Sequence, residues 1–494
     1  MQEVYSIKPL LAILVSITAG ILILLTGEKY RNLRETWTIM AAIAKLILIS
    51  SLLPLVLAGQ NIICTIATLA PNLAIQLKVD SLGLGFGILA SGLWLATSFY
   101  SIGYMRTSTS PQQTRYFFCF AMALAATIGI AFAANLFTLF IFYEMLTIAT
   151  YPLVAHKETP EAIKAGRKYL IYTLTAASLI MLGMGLTYWL TGTLDFKSGG
   201  FLSGELSKGI LYFLFAAFII GFGTKAAIMP LHEWLPSAMV APTPVSALLH
   251  AVAVVKAGVF GCLRIIWYVF GPERLQELGL GSVLLYVVAA TVIISALLAL
   301  VQDHLKRRLA FSTINSLALI ILGAALLSPS ASTGSILHLI NHACMKITLF
   351  FVAGAIYVRT HKENISQLSG IGRQMPLTMA CFAIGAFGLA GIPPVCGFVS
   401  KWYLCLGALE AKQLIFLGII MISALLDIAI FFPIIYQAFF NPTNSQEKTT
   451  IKEAPFLILA PIVFCAMFSI ILGLAPNTFA RFLDLAQMTT NSLF

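Results

Sequence analysis

IIGFGTKAAIMPLHEWLP (residues 219–236) and IGAFGLAGIPPVCGFVSK (residues 384–401) decide how this chain is read. Each is apolar enough to lie inside a helix, yet each mixes helix-weakening glycines with helix-stopping prolines and carries one lysine, Lys225 or Lys401. Interrupted helices survive at membrane depth only where they are buried in protein or line a polar path. A pair of them in two halves of a chain points to a repeat-built transporter with its site beside the breaks. An ordinary proline kink is the other reading of either segment taken alone.

The rest of the composition agrees with a membrane setting. Of 494 residues, 59% are hydrophobic and 10% charged, with mean hydropathy +0.94, whereas a soluble domain is roughly a quarter charged. Apolar runs bounded by charge or by Gly/Pro clusters predict about fourteen spans in an all-α polytopic membrane protein. They fall at 7–26, 37–58, 83–103, 115–134, 136–155, 168–191, 210–229, 244–270, 281–301, 309–328, 331–358, 376–409, 413–439 and 454–474. The N-terminus lacks a cationic start and a small-residue cleavage site, so 7–26 is expected to be a retained helix.

The net charge of +11 belongs with membrane topology rather than nucleic-acid binding. Most basic loop residues, from Lys29, Arg31 and Arg34 to Lys448 and Lys452, fall on the odd-numbered loops. The even-numbered side holds Lys8, Lys78, Lys197, Lys208, Arg274, Lys412 and Arg481. The positive-inside rule then places both termini outside. The eight cysteines are scattered without a CxxC pair, so neither a metal nor an iron–sulfur or other cofactor is expected. The stretch HKETPEAIKAGRK (156–168) predicts a short surface helix capped by Thr159 with Pro160 at its first position.

Charges inside spans are the informative ones, because each costs several kcal/mol unless it faces a bundle interior or a water-filled path. Glu144 lies mid-span in ANLFTLFIFYEMLTIATYP with no opposite charge within a helical turn, so its partner must come from another helix, and Lys225 is the candidate. Burial and pairing act oppositely on such groups, so their separation sets whether Glu144 holds a proton. A static ion pair between helices is the alternative. Lys256 lies six positions after His250, which puts the two on different faces unless the helix is distorted. His338, His342 and Lys346 recur at i, i+4 and i+8 and share one stripe, a candidate proton relay. Metal binding by those histidines is disfavoured by the flanking lysine and the missing HExxH glutamate. Lys401 and Asp427 can pair across two spans, whereas Lys45 and Arg264 lie near span ends and are expected to snorkel.

GFGTKAAIMPLHEWLPSAMVAPTPVSALLHAVAVVKAGVF (221–260) resembles the antiporter-like subunits shared by complex I, membrane-bound hydrogenases and multisubunit Mrp cation/proton antiporters. The resemblance extends to Glu144 before Tyr151-Pro152, to KRRLAFSTIN (306–315), HLINHACMK (338–346) and GIPPVCGFVSK (391–401), so it spans roughly residues 80–440. It implies two inverted five-helix repeats, each with one discontinuous helix, at 115–270 and 281–439. They are preceded by an N-terminal three-helix segment, 1–114, and followed by a C-terminal helix and tail, 454–494. It further implies proton conduction along a midplane row comprising Glu144, Lys225, Lys256, His338, His342, Lys346 and Lys401, with Glu144–Lys225 as gate and His250 and Asp427 on or beside the path. Lysine at 401 is similar to the Mrp D subunit, while Asp427 departs from the family pattern. The implied role is that of a proton-conducting subunit of an Mrp-type antiporter in a prokaryotic cytoplasmic membrane. Its implied partners are sister membrane subunits, the lipid bilayer, protons and Na⁺ or another monovalent cation. A proton-pumping subunit of a redox enzyme is the second reading; neither makes the chain catalytic alone.

Overall fold

A computed structural model describes residues 2–107, 112–202, 206–442 and 450–494; Lys448 lies outside them. Among the described residues thirteen helices are long and apolar enough to cross a membrane. The predicted span 376–409 supplies one more crossing, but as two half-helices, Pro376–Ala390 and Cys396–Glu410. The glycine and prolines between them cannot continue a helix: Gly391 sits at φ 81°, and Pro393 and Pro394 follow.

Burial sorts the crossings. Thr243–Phe270 and Pro329–Thr360 are enclosed on all sides, whereas Lys8–Thr26, Arg31–Leu57 and Leu414–Phe440 lie at the periphery with most of their apolar surface outward. The two enclosed helices carry His250 and Lys256, and His338, His342 and Lys346, respectively. These ionisable side chains therefore face the protein interior rather than lipid, the arrangement that desolvation energetics demand.

Helix starts follow local chemistry. The Asn135 side chain accepts from the Thr138 amide at 2.8 Å, opening Leu136–Val154. Thr159 caps as expected, accepting from the Ala162 amide at 3.2 Å. However, the helix it opens is not a short surface element: it runs unbroken through Pro160–Thr191, because nothing between Lys168 and Leu190 interrupts it.

The fold is nearly all-helical, with one small sheet among the described residues that hydropathy does not reveal. Strand Gln2–Tyr5 pairs in parallel with Gln60–Ala70, which pairs antiparallel with Leu73–Val79. The Lys78 amide donates to the Phe132 carbonyl at 2.6 Å and the Ala134 amide to the Gln76 carbonyl at 3.0 Å, so the hairpin covers the turn between two helices. A cavity on this face is lined by both Glu3 and Ser492, so the two termini share one face, as an even number of crossings requires. The tail is not featureless: Phe482–Asn491 is a helix tied inward by Ser81 Oγ to Thr489 Oγ1 at 2.7 Å and Thr333 Oγ1 to Thr490 Oγ1 at 3.0 Å.

Two expectations about basic residues are corrected. Lys45 and Arg264 do not snorkel: both charged heads are buried. The Lys45 ammonium donates to the Leu124 carbonyl at 3.2 Å and lies 4.6 Å from the Trp94 ring centroid. Arg264 forms a two-pronged bond with Asp80. Each found an interior partner that a position near a span end does not reveal. Arg34 and Lys306, counted with the loops, are buried too; Arg34 pairs with Glu28 at 2.6 Å, and Lys306 donates to the Ala241 carbonyl at 3.1 Å.

Candidate functional site

At the first break the helix Lys208–Lys225 stops and the chain turns through residues 226–233 before the short helix Trp234–Ser237. Two polar contacts satisfy the freed backbone: Trp234 Nε1 donates to the Thr224 carbonyl at 2.8 Å, and the Met229 amide donates to Thr291 Oγ1 at 3.2 Å. Lys225 is the last helical residue and fully buried. Its ammonium donates to the Tyr143 carbonyl at 2.6 Å and sits 3.3 Å from the centroid of the Tyr143 ring.

Glu144, next to Tyr143, is half-buried, and its Oε1 has no hydrogen-bond partner. The two members of the expected gate do not form a contact ion pair; Lys225 is held by the residue beside Glu144, within electrostatic range of the carboxyl group. Such a geometry couples the charges without locking them together.

Gly258 lets the central helix lie directly on this break: a Cβ there would stand 2.3 Å from the Ala226 amide nitrogen. Two residues earlier, Lys256 is fully buried, and no protein atom hydrogen-bonds its ammonium. Between His250 and Lys256 the helix changes character, with a π-helical stretch at Leu248–Val252 and Ala253 at φ −102°, ψ −82°. The six-residue spacing that separates the two on a regular helix is thereby reset. His250 and Lys256 both lie within electrostatic range of His342 and of Lys346. Neither nitrogen of His250 or of His342 has a hydrogen-bond partner among protein atoms. A cluster of buried, unpaired donors and acceptors costs about 1–3 kcal/mol per group in a dry interior, and ordered water is the usual way to satisfy it.

The stripe on Pro329–Thr360 is as expected. The rings of His338 and His342 are 6.1 Å apart, centroid to centroid. Lys346 donates to Ser312 Oγ at 2.8 Å, and His338 Nδ1 shares a 2.9 Å hydrogen bond with Ser400 Oγ, one residue before Lys401. The second break places that residue. Gly397 brings the half-helices together, since a Cβ there would fall 1.8 Å from the Gly388 carbonyl oxygen, and Asn341 Nδ2 donates to the Cys396 carbonyl at 2.8 Å. Lys401 ends in a buried ion pair with Asp427 at 2.9 Å. Asn315 Nδ2 donates to the other oxygen of Asp427 at 3.4 Å, and Ser423 Oγ holds Asn315 at 2.9 Å.

The nine residues singled out from the sequence fall in an interior row of two stretches. One is Glu144 with Lys225; the other is His250, Lys256, His342, Lys346, His338, Lys401 and Asp427, linked by ring contacts, an ion pair or electrostatic proximity. The helices of the two stretches meet where Gly258 lies on Ala226. Sequence reasoning missed the neutral partners Tyr143, Ser312, Asn315 and Ser400. Their only signal is a hydroxyl or amide repeating inside apolar helices, as in FSTIN (311–315). It missed Asp80 altogether.

The family described as NADH:quinone oxidoreductase/Mrp antiporter, TM matches residues 133–427, which contain the whole row. NADH-quinone oxidoreductase subunit N of Desulforudis audaxviator is 33% identical over 422 residues, covering 82% of this chain and 83% of the relative. The D subunit of the Na(+)/H(+) antiporter of Bacillus subtilis is 26% identical over 396 residues, covering 79% of this chain and 78% of the relative. Among solved structures, a chain of the Mrp complex from Dietzia sp. DQ12-45-1b superposes with a TM-score of 0.87 at 22% identity, covering 99% of this chain and 97% of that one. That likeness shows the fold: an integral membrane protein built like a component of a multisubunit membrane complex.

Proposed function

We propose, from the premise that this chain belongs to the NADH:quinone oxidoreductase/Mrp antiporter transmembrane family, that it conducts protons as one subunit of a multisubunit Mrp-type monovalent cation/proton antiporter. The observation that carries the reading is the row of buried ionisable side chains with a lysine at each helix break. The face bearing the termini is taken as the outer side of a prokaryotic cytoplasmic membrane, following the distribution of basic loop residues. The two five-helix units, 115–270 and 281–439, are read as inverted repeats around the row.

Conduction follows from how each charge is held. A proton arriving on Glu144 cancels the negative charge facing Lys225, whose ammonium is otherwise retained by the Tyr143 carbonyl and ring. Lys225 then passes its proton towards Lys256, across the contact made by Gly258. Lys256, His250 and His342 are unpaired by protein, so each can rotate and exchange a proton through water. At the far end, Lys401 is neutralised by Asp427. A proton delivered through Lys346 and His338 loosens that pair and is released as it re-forms. Coupling thus runs through alternate making and breaking of charge contacts, and the chain itself carries out no bond chemistry.

The test is transport by the assembled complex in proteoliposomes. Lys225→Ala and Glu144→Ala are expected to abolish proton movement while leaving assembly intact; near-normal transport in either variant would sink the mechanism.

A second reading, a proton-pumping subunit of a redox-driven complex, is favoured by the 33% identity to an NADH-quinone oxidoreductase subunit. Visible absorption and iron content of the purified complex separate the two. Flavin or iron–sulfur signals stoichiometric with the chain select the redox pump, and a colourless assembly driven by a cation gradient selects the antiporter.

A further inference from the structure

On the face that carries the termini, a cavity of about 240 Å³ is lined by Glu3, Lys78, Asp80, Lys197, Arg264 and Tyr268, among others. Its floor is the bond between Arg264 and Asp80, with Nη1 to Oδ2 at 2.5 Å and Nη2 to Oδ1 at 3.0 Å. Arg264 ends the helix that carries Lys256; eight residues at 1.5 Å each put the guanidinium's backbone about 12 Å along the axis from that lysine. The bonded pair Arg264–Asp80 thus stands at the end of the helix of Lys256 that meets this open face.

We propose that Arg264 and Asp80 gate a branch of the proton path that leads from Lys256 to the terminus-bearing face, and that they make this branch selective against alkali cations. The inference rests on the proton-conducting reading. Three features of the site support it. Arg264 is 1% exposed, and its Nε has no hydrogen-bond partner, so the guanidinium is enclosed without being fully tied. The rings of Tyr268, Phe260 and Phe196 lie 4.5, 5.0 and 5.2 Å from its central carbon. They surround the cation while it is bonded to Asp80, so a small turn away from that carboxylate keeps it against aromatic faces. Asp80 is itself fixed at the junction of strand Leu73–Val79 and helix Ser81–Thr107, its Oδ1 accepting from the Gly83 amide at 2.7 Å, so the movable partner is the arginine.

Selectivity follows from charge. Lys78 and Lys197 stand with Arg264 around the opening, while Glu3 lies 3.9 Å from Lys78 and Asp80 is neutralised by Arg264. With those pairs made, Lys197 leaves the lining with one excess positive charge, so a sodium ion meets net repulsion there and then the guanidinium across the floor. A proton can pass by transfer along hydrogen bonds once Arg264 has turned from Asp80. A sodium ion cannot move by such transfer and is left behind.

The assembled complex in proteoliposomes tests this, read by passive pH relaxation and by sodium uptake without a driving reaction. Arg264→Gln is expected to speed passive proton relaxation several-fold and to admit sodium. Asp80→Asn, which keeps the helix cap and one bond to the guanidinium, is expected to lower driven proton transport several-fold with assembly preserved. Wild-type tightness and wild-type transport in these variants would overturn the gate. If Arg264→Gln does not assemble, hydroxyphenylglyoxal labelling of the wild-type complex decides. Modification of Arg264 during turnover but not at rest supports the gate, and protection in both states refutes it. Lys225→Ala separates the two levels of inference. Transport that survives that substitution removes the path itself, whereas loss of transport there with an indifferent Asp80→Asn removes only the gate.

Discussion

Neutralising Asp427 puts the clearest strain on the interior row. At 2.9 Å from Lys401, an effective dielectric constant of ~20 gives a gross attraction of about 6 kcal/mol. Much of that only offsets the desolvation of two buried charges. Removing one partner strands the other, and the expected loss of stability for Asp427→Ala is ~3–5 kcal/mol. The double variant Lys401→Met/Asp427→Leu removes both charges and fills similar volume, so its stability should return close to that of the parent protein. Its transport should not return, because a charge that must be made and broken is gone. Thermal unfolding of the complex in detergent and proton movement in proteoliposomes read the two quantities side by side. If the double variant regains both stability and transport, the pair is a packing device and the row ends before it.

Other consequences are checked more simply. Gly258→Ala forces a methyl group against the Ala226 amide nitrogen, so a loss of about 1–3 kcal/mol and strongly reduced transport are expected, measured by unfolding and vesicle assay. Lys45→Met removes a buried cation that lies off the row, against the Leu124 carbonyl and Trp94; assembly and transport should persist, and loss of transport would place Lys45 on the path. His156, in the loop after Leu136–Val154, has its imidazole pushed down to about 4 by burial and by the Arg115 charge. The unfolded chain then binds more protons than the folded one between roughly pH 6.5 and 4, so this contribution is fully present at neutral pH and is lost as pH falls through that window. Replacing His156 with Gln should flatten that part of the pH dependence in thermal melts compared between pH 7.5 and 5.

The membrane class, the crossings, the two breaks and the identity of the charges on the row could all be read from the order of residues. Each of these is local: hydropathy is summed over a window, a break needs only glycine and proline in place, and a buried charge is conspicuous in an apolar run. The i, i+4, i+8 stripe of His338, His342 and Lys346 was legible because a regular helix has one period. Tertiary structure decided whatever depends on a second element or on departure from that period. The π-helical stretch at Leu248–Val252 brought His250 and Lys256 to the same cluster, against their nominal spacing. Lys225 was drawn to Tyr143 rather than into contact with Glu144, because the break fixes where its short reach ends. Arg264, expected to extend towards water, was turned inward by Asp80, which the hairpin Gln60–Val79 delivers from almost two hundred residues away in the chain. A charge near the end of an apolar run has two favourable outcomes, solvent or a buried counterion, and the choice between them is set by a partner that no local window contains.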